Sequence, residues 1–329
     1  MAQIPVTILT GFLGSGKTTL LNKILQGNHG QRIAVIENEF GDEGIDNDLL
    51  IQDRDEQIIE MNNGCICCTV RGDLVRILGE LIEKKQAGVL KYDHVVIETT
   101  GLADPAPVAQ TFFVDDHISS HYLLDAIVTM VDAKHAQMQL DEHHEAQEQV
   151  GFADRVLLTK TDLVSAAEIE SLRSRLTKMN PRAKVGVSQN GISSIDDLLD
   201  IRGFNLTDIL EIEPSFLTDV DHEHDEDIKS FVFLETQALD ITKVENFLEG
   251  IIKVYGPQML RYKGIFNAAK ESRRVIFQGV HMLMGAEFGT PWRANETRAT
   301  KMVFIGRNLP QDLLTDGLRQ CIAKKSLSR

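Results

Sequence analysis

Val6-Thr-Ile-Leu-Thr-Gly11-Phe-Leu-Gly-Ser-Gly-Lys17-Thr18-Thr-Leu-Leu-Asn-Lys-Ile-Leu25 decides the fold. A short β-branched run leads into Gly-x4-Gly-Lys-Thr, and apolar residues at helical spacing follow. Strand, glycine-rich turn and helix in this order form a phosphate-binding loop. The glycines let several backbone N–H groups point inward at phosphate oxygens, and the next helix adds its positive N-terminal dipole. Gly11, Phe12, Leu13, Gly14, Ser15, Gly16, Lys17, Thr18 and Thr19 are therefore the expected nucleotide-binding residues. In this reading Lys17 reaches the β- and γ-phosphates, and the Thr18 hydroxyl ligates Mg²⁺.

Outward from this loop, short apolar runs alternate with helical patterns to about residue 200. The runs are Val6–Leu9, Ile33–Ile36, Gln57–Met61, His94–Ile97, Ala126–Val131, Val156–Leu158 and Val185–Val187. Several are continuously apolar, as strands covered on both faces are. Leu74, Ile77, Leu78, Leu81 and Ile82 fall at helical spacing between two of them. The expected fold class is α/β: a P-loop NTPase domain over residues 1–212, with a mainly parallel sheet covered by helices. An acidic, His-containing linker follows at 213–229. Phe231–Leu234, Arg274–Phe277 and Met302–Ile305 then read as strands, and Ile241–Tyr255 and Pro310–Ala323 as helices. They make a small C-terminal α+β domain over 230–323, with a tail at 324–329.

Composition narrows the function classes. With 329 residues, two domains are expected. The net charge of −15 argues against a nucleic-acid-binding face, which needs clustered Lys and Arg. No apolar run approaches the roughly 18 residues of a membrane span. The first strand begins where a signal peptide would lie, so the expected location is the cytoplasm. Oligomeric state stays open, self-association included.

Two further strand ends complete a nucleotide site. His94-Val-Val-Ile-Glu98-Thr-Thr-Gly101 is an apolar run ending in a carboxylate, with glycine three residues on. An acid here holds Mg²⁺ directly or through water, and the Gly101 N–H faces the γ-phosphate. Lys17, Thr18, Glu98 and Gly101 are thus the candidate catalytic residues, and Thr18 and Glu98 the magnesium ligands. Thr159-Lys160-Thr-Asp162 follows another apolar run and resembles the guanine-reading Asn-Lys-x-Asp motif. The Asp162 carboxylate would accept a bidentate pair that adenine does not offer, while the Lys160 stem packs on the base. Thr159 stands where Asn is usual, which weakens guanine preference relative to nucleotide binding itself.

The third signal is Cys65-Ile-Cys67-Cys68, just before a helix beginning near Val70 and holding three of the four cysteines. In a reducing compartment such a cluster reads as metal ligands or redox thiols. A helix N-terminus favours the thiolates that bind divalent metals such as Zn²⁺. Zinc takes four ligands, so three sulfurs leave one position open, which suits handover. Glu37, Glu39 and Asp42, in the loop after the second run, are candidates to fill it. His222-Glu-His224-Asp-Glu-Asp227 reads as a solvated charge run, His135, His143 and His144 as surface residues, and Cys321 as buried in the last helix.

Together, Gly11–Thr18, Glu37-Asn-Glu-Phe-Gly41, Cys65-x-Cys67-Cys68, Glu98-x-x-Gly101 and Thr159-Lys-Thr-Asp162 resemble the CobW family of metal-handling GTPases, closest to its bacterial zinc-linked members. Arg261-Tyr-Lys-Gly264, Phe277-Gln-Gly279 and Phe304-Ile-Gly306 resemble the family's C-terminal domain, so the likeness covers almost the whole chain. It implies a GTP-hydrolysing metallochaperone that binds Zn²⁺ at Cys65, Cys67 and Cys68 and delivers it to a client metalloprotein. GTP and Mg²⁺ are the implied nucleotide and cofactor. Thr159 matches the zinc-linked members, whereas Asp42 stands where they carry Glu. Two alternatives stay open: cobalt or another metal handled by the same machinery, and a nucleotide-gated partner-binding module with little turnover.

Overall fold

The computed structural model describes residues 3–26, 30, 32–37, 57–60, 69–188, 199, 201, 228–293 and 296–323. The chain folds as two units, Met1–Thr177 with Ala183–Phe204, and Lys178–Arg182 with Asn205–Arg329. Each unit has its own sheet.

In the first unit, β1 (Ile4–Gly11) lies at the centre of seven strands among the described residues. The others are β2 (Ile33–Glu37), β3 (Gln57–Glu60), β4 (His94–Glu98), β5 (Tyr122–Asp132), β6 (Arg155–Thr159) and β7 (Lys184–Val187). Their spatial order is β3-β2-β4-β1-β5-β6-β7 and every neighbouring pair is parallel. The continuously apolar runs are explained by burial: all five residues of β4, and ten of the eleven in β5, are buried. Because the strands are parallel, their C-terminal ends share one edge. The order reverses beside β1, which is where open α/β sheets bind ligands.

Among the described residues, the unit's helices are α1 (Lys17–Gln26), α2 (Thr69–Gln86), α3 (Ala106–Val114), α4 (Asp116–His121), α5 (Ala136–Glu142), α6 (His144–Phe152) and α7 (Ala166–Met179). α2 buries the predicted stripe of Leu74, Ile77, Leu78, Leu81 and Ile82. Side chains of this size contribute about 1.5–3 kcal/mol each when fully buried. Two tyrosines add a polar tie: the hydroxyls of Tyr92 and Tyr122 lie 2.8 Å apart, and Tyr122 donates to the Leu78 carbonyl at 3.1 Å. The sequence marks a polar helical stretch around His135 to His144 but not its division into α5 and α6, and α3 and α4 carry no clean period because they are short and α3 is apolar on most sides.

The second unit is an antiparallel sheet ordered β11-β10-β9-β12-β8. Its strands are β8 (Ile228–Glu235), β9 (Met259–Phe266), β10 (Arg273–Val280), β11 (Leu283–Pro291) and β12 (Thr300–Arg307). α8 (Ile241–Tyr255) has the predicted bounds, and Asp240 caps it by accepting from the Lys243 N–H. α8 buries Val244, Leu248, Ile251 and Ile252, and α9 (Gln311–Gln320) buries Leu314 and Leu318, in a core with Phe233, Phe266, Phe277 and Phe304.

Three sequence expectations change here. β8 starts at Ile228, two residues inside the stretch read as linker. β9 and β11 are additional strands. β9 is illegible in the sequence because all eight of its residues are buried, Arg261 and Lys263 included, so no alternation shows. α9 ends at Gln320, and Cys321 lies just beyond it, buried, with burial raising its thiol pKa. Residues 213–227, with His222 and His224, and the tail 324–329 lie outside the described residues.

Candidate nucleotide site

β1 ends at Gly11, where the chain leaves the sheet with φ +142°, and Gly14 and Gly16 also take positive φ. A Cβ at Gly11 would lie 2.3 Å from the Met130 carbonyl oxygen of neighbouring β5, so only glycine fits. The loop closes through Ser15 N–H donating to the Phe12 carbonyl at 3.1 Å, and α1 begins at Lys17. The Lys17 ammonium turns back into the loop, donating to the Gly11 carbonyl at 2.8 Å and the Phe12 carbonyl at 3.5 Å. Burial lowers its pKa, and Glu98 partly opposes the shift. The Ser15 hydroxyl is buried and lacks a hydrogen-bond partner among the described residues. A cationic loop with an unspent buried hydroxyl fits a bound phosphate chain.

β4 brings Glu98 alongside. Its backbone is in register with Leu9 of β1, and its Oε1 accepts a hydrogen bond from the Thr18 hydroxyl at 3.2 Å. A hydroxyl and a carboxylate that close are a ligand pair suited to a hard cation such as Mg²⁺. Beyond Glu98, the Thr99 N–H donates to Leu9 and its hydroxyl to Thr10. Gly101 then passes directly over the phosphate loop: a Cβ there would meet Leu13 Cα and N at 2.8 Å.

β6 supplies the remaining wall. The Thr159 hydroxyl donates to the Ser15 carbonyl at 2.9 Å and to Val131 at 3.3 Å, tying the motif to the phosphate loop. Thr at this position thus makes a loop contact through its own hydroxyl. Lys160 is left-handed, with φ 53°, and Asp162 is exposed in a 3-10 turn spanning Thr161–Leu163.

Three residues that sequence reading does not select join the site. Asp132, at the end of β5 and only 2% exposed, accepts from Lys160 Nζ at 2.7 Å, His135 Nδ1 at 2.8 Å and the Lys134 N–H at 2.9 Å. It ends an apolar run as Glu98 does, and the same rule would have found it. His143, expected at the surface, is half-buried, and its ring lies 4.6 Å from that of Phe12. Gln149 of α6 donates to the carbonyls of Gly101 and Ala103, each at 3.1 Å. Neither of these two carries a local sequence signal.

For the cysteine site, the structure describes the flanks. Glu37 ends β2 and is in register with Glu98 on one side and Glu60 on the other, at the sheet edge that carries the phosphate loop. Cys65, Cys67, Cys68, Glu39 and Asp42 lie outside the described residues, as does the side chain of Glu37.

A parallel sheet with its strand order reversing at a glycine-lined loop, a buried lysine and a threonine–carboxylate pair defines a P-loop nucleotide-binding protein. Residues 5–186 match the CobW/HypB/UreG nucleotide-binding domain, and residues 228–322 match the cobalamin synthesis protein cobW C-terminal domain. The chain belongs to the CobW family. It is 43% identical over 313 residues to the zinc chaperone YjiA of Escherichia coli (strain K12), covering 95% of this chain and 96% of that protein. It is 33% identical to the zinc chaperone CobW of Sinorhizobium sp, covering 92% of this chain and 93% of that one. The crystal structure of Zn(II)-bound YjiA GTPase from E. coli superposes with a TM-score of 0.81 at 36% identity, covering 98% of this chain and all of the other.

Proposed function

We propose that this chain is a GTPase metallochaperone, which binds Zn²⁺ through Cys65, Cys67 and Cys68 and passes it to a client metalloprotein as GTP is hydrolysed. The observation that carries this reading is the run of strand ends along one sheet edge. Glu60, Glu37 and Glu98 are successive register partners, and Glu98 touches Thr18 of the phosphate site. The chain leaves β3 at Glu60 and enters α2 at Thr69, so the four-residue cysteine motif falls within the eight residues that join that edge to α2. Two of the similar proteins are named zinc chaperones, and one of their structures is described as Zn(II)-bound.

Within the site, Gly11 to Thr19 cradle the phosphates, Lys17 neutralises charge at the terminal pair, and Thr18 with Glu98 would hold Mg²⁺. The cation supplies charge neutralisation on the phosphate oxygens when bound. The Gly101 N–H faces the third phosphate. Thr159, Lys160 and Asp162 take the guanine, Lys160 by its stem and Asp162 by its carboxylate. Glu37 and Asp42 are the proposed additional zinc ligands; the shorter Asp42 side chain reaches less far than a glutamate. No helix among the described residues is long and apolar enough to cross a membrane. The working location of this reading is the cytoplasm, where reduced thiols persist.

Zinc affinity measured with and without a non-hydrolysable GTP analogue tests the coupling. The reading requires the two affinities to differ; identical values would leave two independent sites. Cys67→Ala should weaken zinc binding, and an unchanged zinc titration would place the metal elsewhere.

A further inference from the structure

Gln149 is 1% exposed on α6, and its amide serves the loop after β4. Its Nε2 donates to the carbonyls of Gly101 and Ala103, each at 3.1 Å, while its own backbone carbonyl accepts from the Thr129 hydroxyl at 2.7 Å. The two held carbonyls flank residue 102, so the turn closed by Ala103 N–H on the Thr100 carbonyl is pinned on both sides. The Oε1 of Gln149 is buried with no hydrogen-bond partner among the described residues.

Gly101 is not free to drift on its other side. A Cβ there would lie 2.6 Å from Leu13 Cδ2 and 2.8 Å from Leu13 Cα and N, so its backbone rests on the phosphate loop. The same helix reaches that loop again at its start, where the His143 ring packs 4.6 Å from Phe12. Phe12, Leu140, Gln149 and Val150 line one pocket between these contacts. α6 thus holds both the phosphate loop and the Gly101 turn, roughly 9 Å apart along one helix.

We infer that Gln149 is a positioning residue for Gly101: by holding the Gly101 and Ala103 carbonyls it fixes the turn whose Ala103 N–H holds the Thr100 carbonyl, and so indirectly orients the Thr100–Gly101 peptide that carries the Gly101 N–H, and with it the protein's discrimination between a nucleoside triphosphate and a diphosphate. The inference rests on the reading of Gly101 as facing the third phosphate. An aliphatic side chain would fill the same space without burying an unpaired amide oxygen, which costs stability. What it would not supply is a donor pair aimed at the turn that, on this reading, a γ-phosphate meets and a diphosphate leaves alone.

The test compares affinities for a non-hydrolysable GTP analogue and for GDP, with melting temperatures recorded for every variant. Gln149→Met should leave GDP affinity within about 2-fold and weaken the analogue by about 10-fold, the size of a lost hydrogen bond. Single-turnover hydrolysis should fall by at least as much. Equal losses for both nucleotides, or no loss, would overturn the inference, since a purely structural role moves both together. Gly101→Ala separates the two layers. If it leaves the GTP-to-GDP ratio unchanged, Gly101 does not face the third phosphate and the underlying reading fails. If it shifts the ratio but Gln149→Met does not, only the role of Gln149 fails. In the Gly101→Ala background, Gln149→Met should add nothing further. Should Gln149→Met melt far below the parent protein, Gln149→Asn keeps the amide one methylene short of the two carbonyls and is read by the same ratio.

Discussion

The Thr18 hydroxyl and the Glu98 carboxylate meet at 3.2 Å, joining the first turn of α1 to the last residue of β4. The contact links the phosphate loop to the sheet edge that leads toward the cysteine motif. It places a neutral oxygen and an anionic one together beside the Lys17 ammonium, whose pKa Glu98 pulls upward against the lowering effect of burial.

Glu98→Gln keeps the size and the hydrogen-bond acceptor but removes the charge. Mg²⁺ affinity in the presence of GTP should fall about 10- to 100-fold. A magnesium titration of GTP turnover checks this; an unchanged half-saturating concentration would remove Glu98 from the cation site.

Lys17→Ala should weaken GTP and GDP binding by about 2 kcal/mol or more, because a buried charge-assisted contact to phosphate is lost. The nucleotide-free protein should not suffer in proportion. Burial lowers the Lys17 pKa, so the unfolded chain holds its proton more tightly and the charged amine disfavours folding at neutral pH. Calorimetry should accordingly show a nucleotide-free melting temperature close to that of the parent, alongside the lost affinity in a binding titration.

Asp132→Asn should destabilise the fold by about 1–2 kcal/mol, since it weakens charge-assisted hydrogen bonds from Lys160 and His135 whose own charges stay solvated. A pH dependence accompanies this. Burial raises the Asp132 carboxyl, but donors from Lys160, His135 and the Lys134 backbone outweigh it and hold the group below the ordinary carboxylate range. The unfolded chain therefore takes up a proton before the native state does. The Asp132 contribution is full above the ordinary value of about 3.9 and is lost as pH falls toward the depressed native one. Denaturation curves from pH 7 to pH 3 should show a shallower acid decline in the variant than in the parent.

Gly101→Ala places a methyl group against the backbone of Leu13 rather than against a flexible side-chain tip alone. The loop after β4 must then shift by a few tenths of an ångström or more. Turnover should drop about 10-fold or more, because misplacing a reacting group by about 1 Å costs on the order of 100-fold. Single-turnover hydrolysis measured beside GDP affinity checks it, with the larger loss expected in hydrolysis.

The sequence by itself determined the strand, loop and helix around Gly11 to Thr18, because glycine spacing, β-branched residues and helical periodicity are local properties. It also located Glu98 and Thr159 to Asp162, since each follows an apolar run and a parallel sheet puts such ends on one edge. Which ends become neighbours was decided only by the strand order, which depends on how whole faces pack. Asp132 meets Lys160 across 28 residues, and Gln149 reaches Gly101 across 48. His143 meets Phe12 from the junction of α5 and α6, in a helical stretch whose polarity reads as surface. β9 stayed hidden for the same reason: Arg261 and Lys263 look like surface residues in a string of letters, and only a strand covered on both faces buries them. Local chemistry wrote the phosphate loop, and long-range packing chose the side chains that hold it in place.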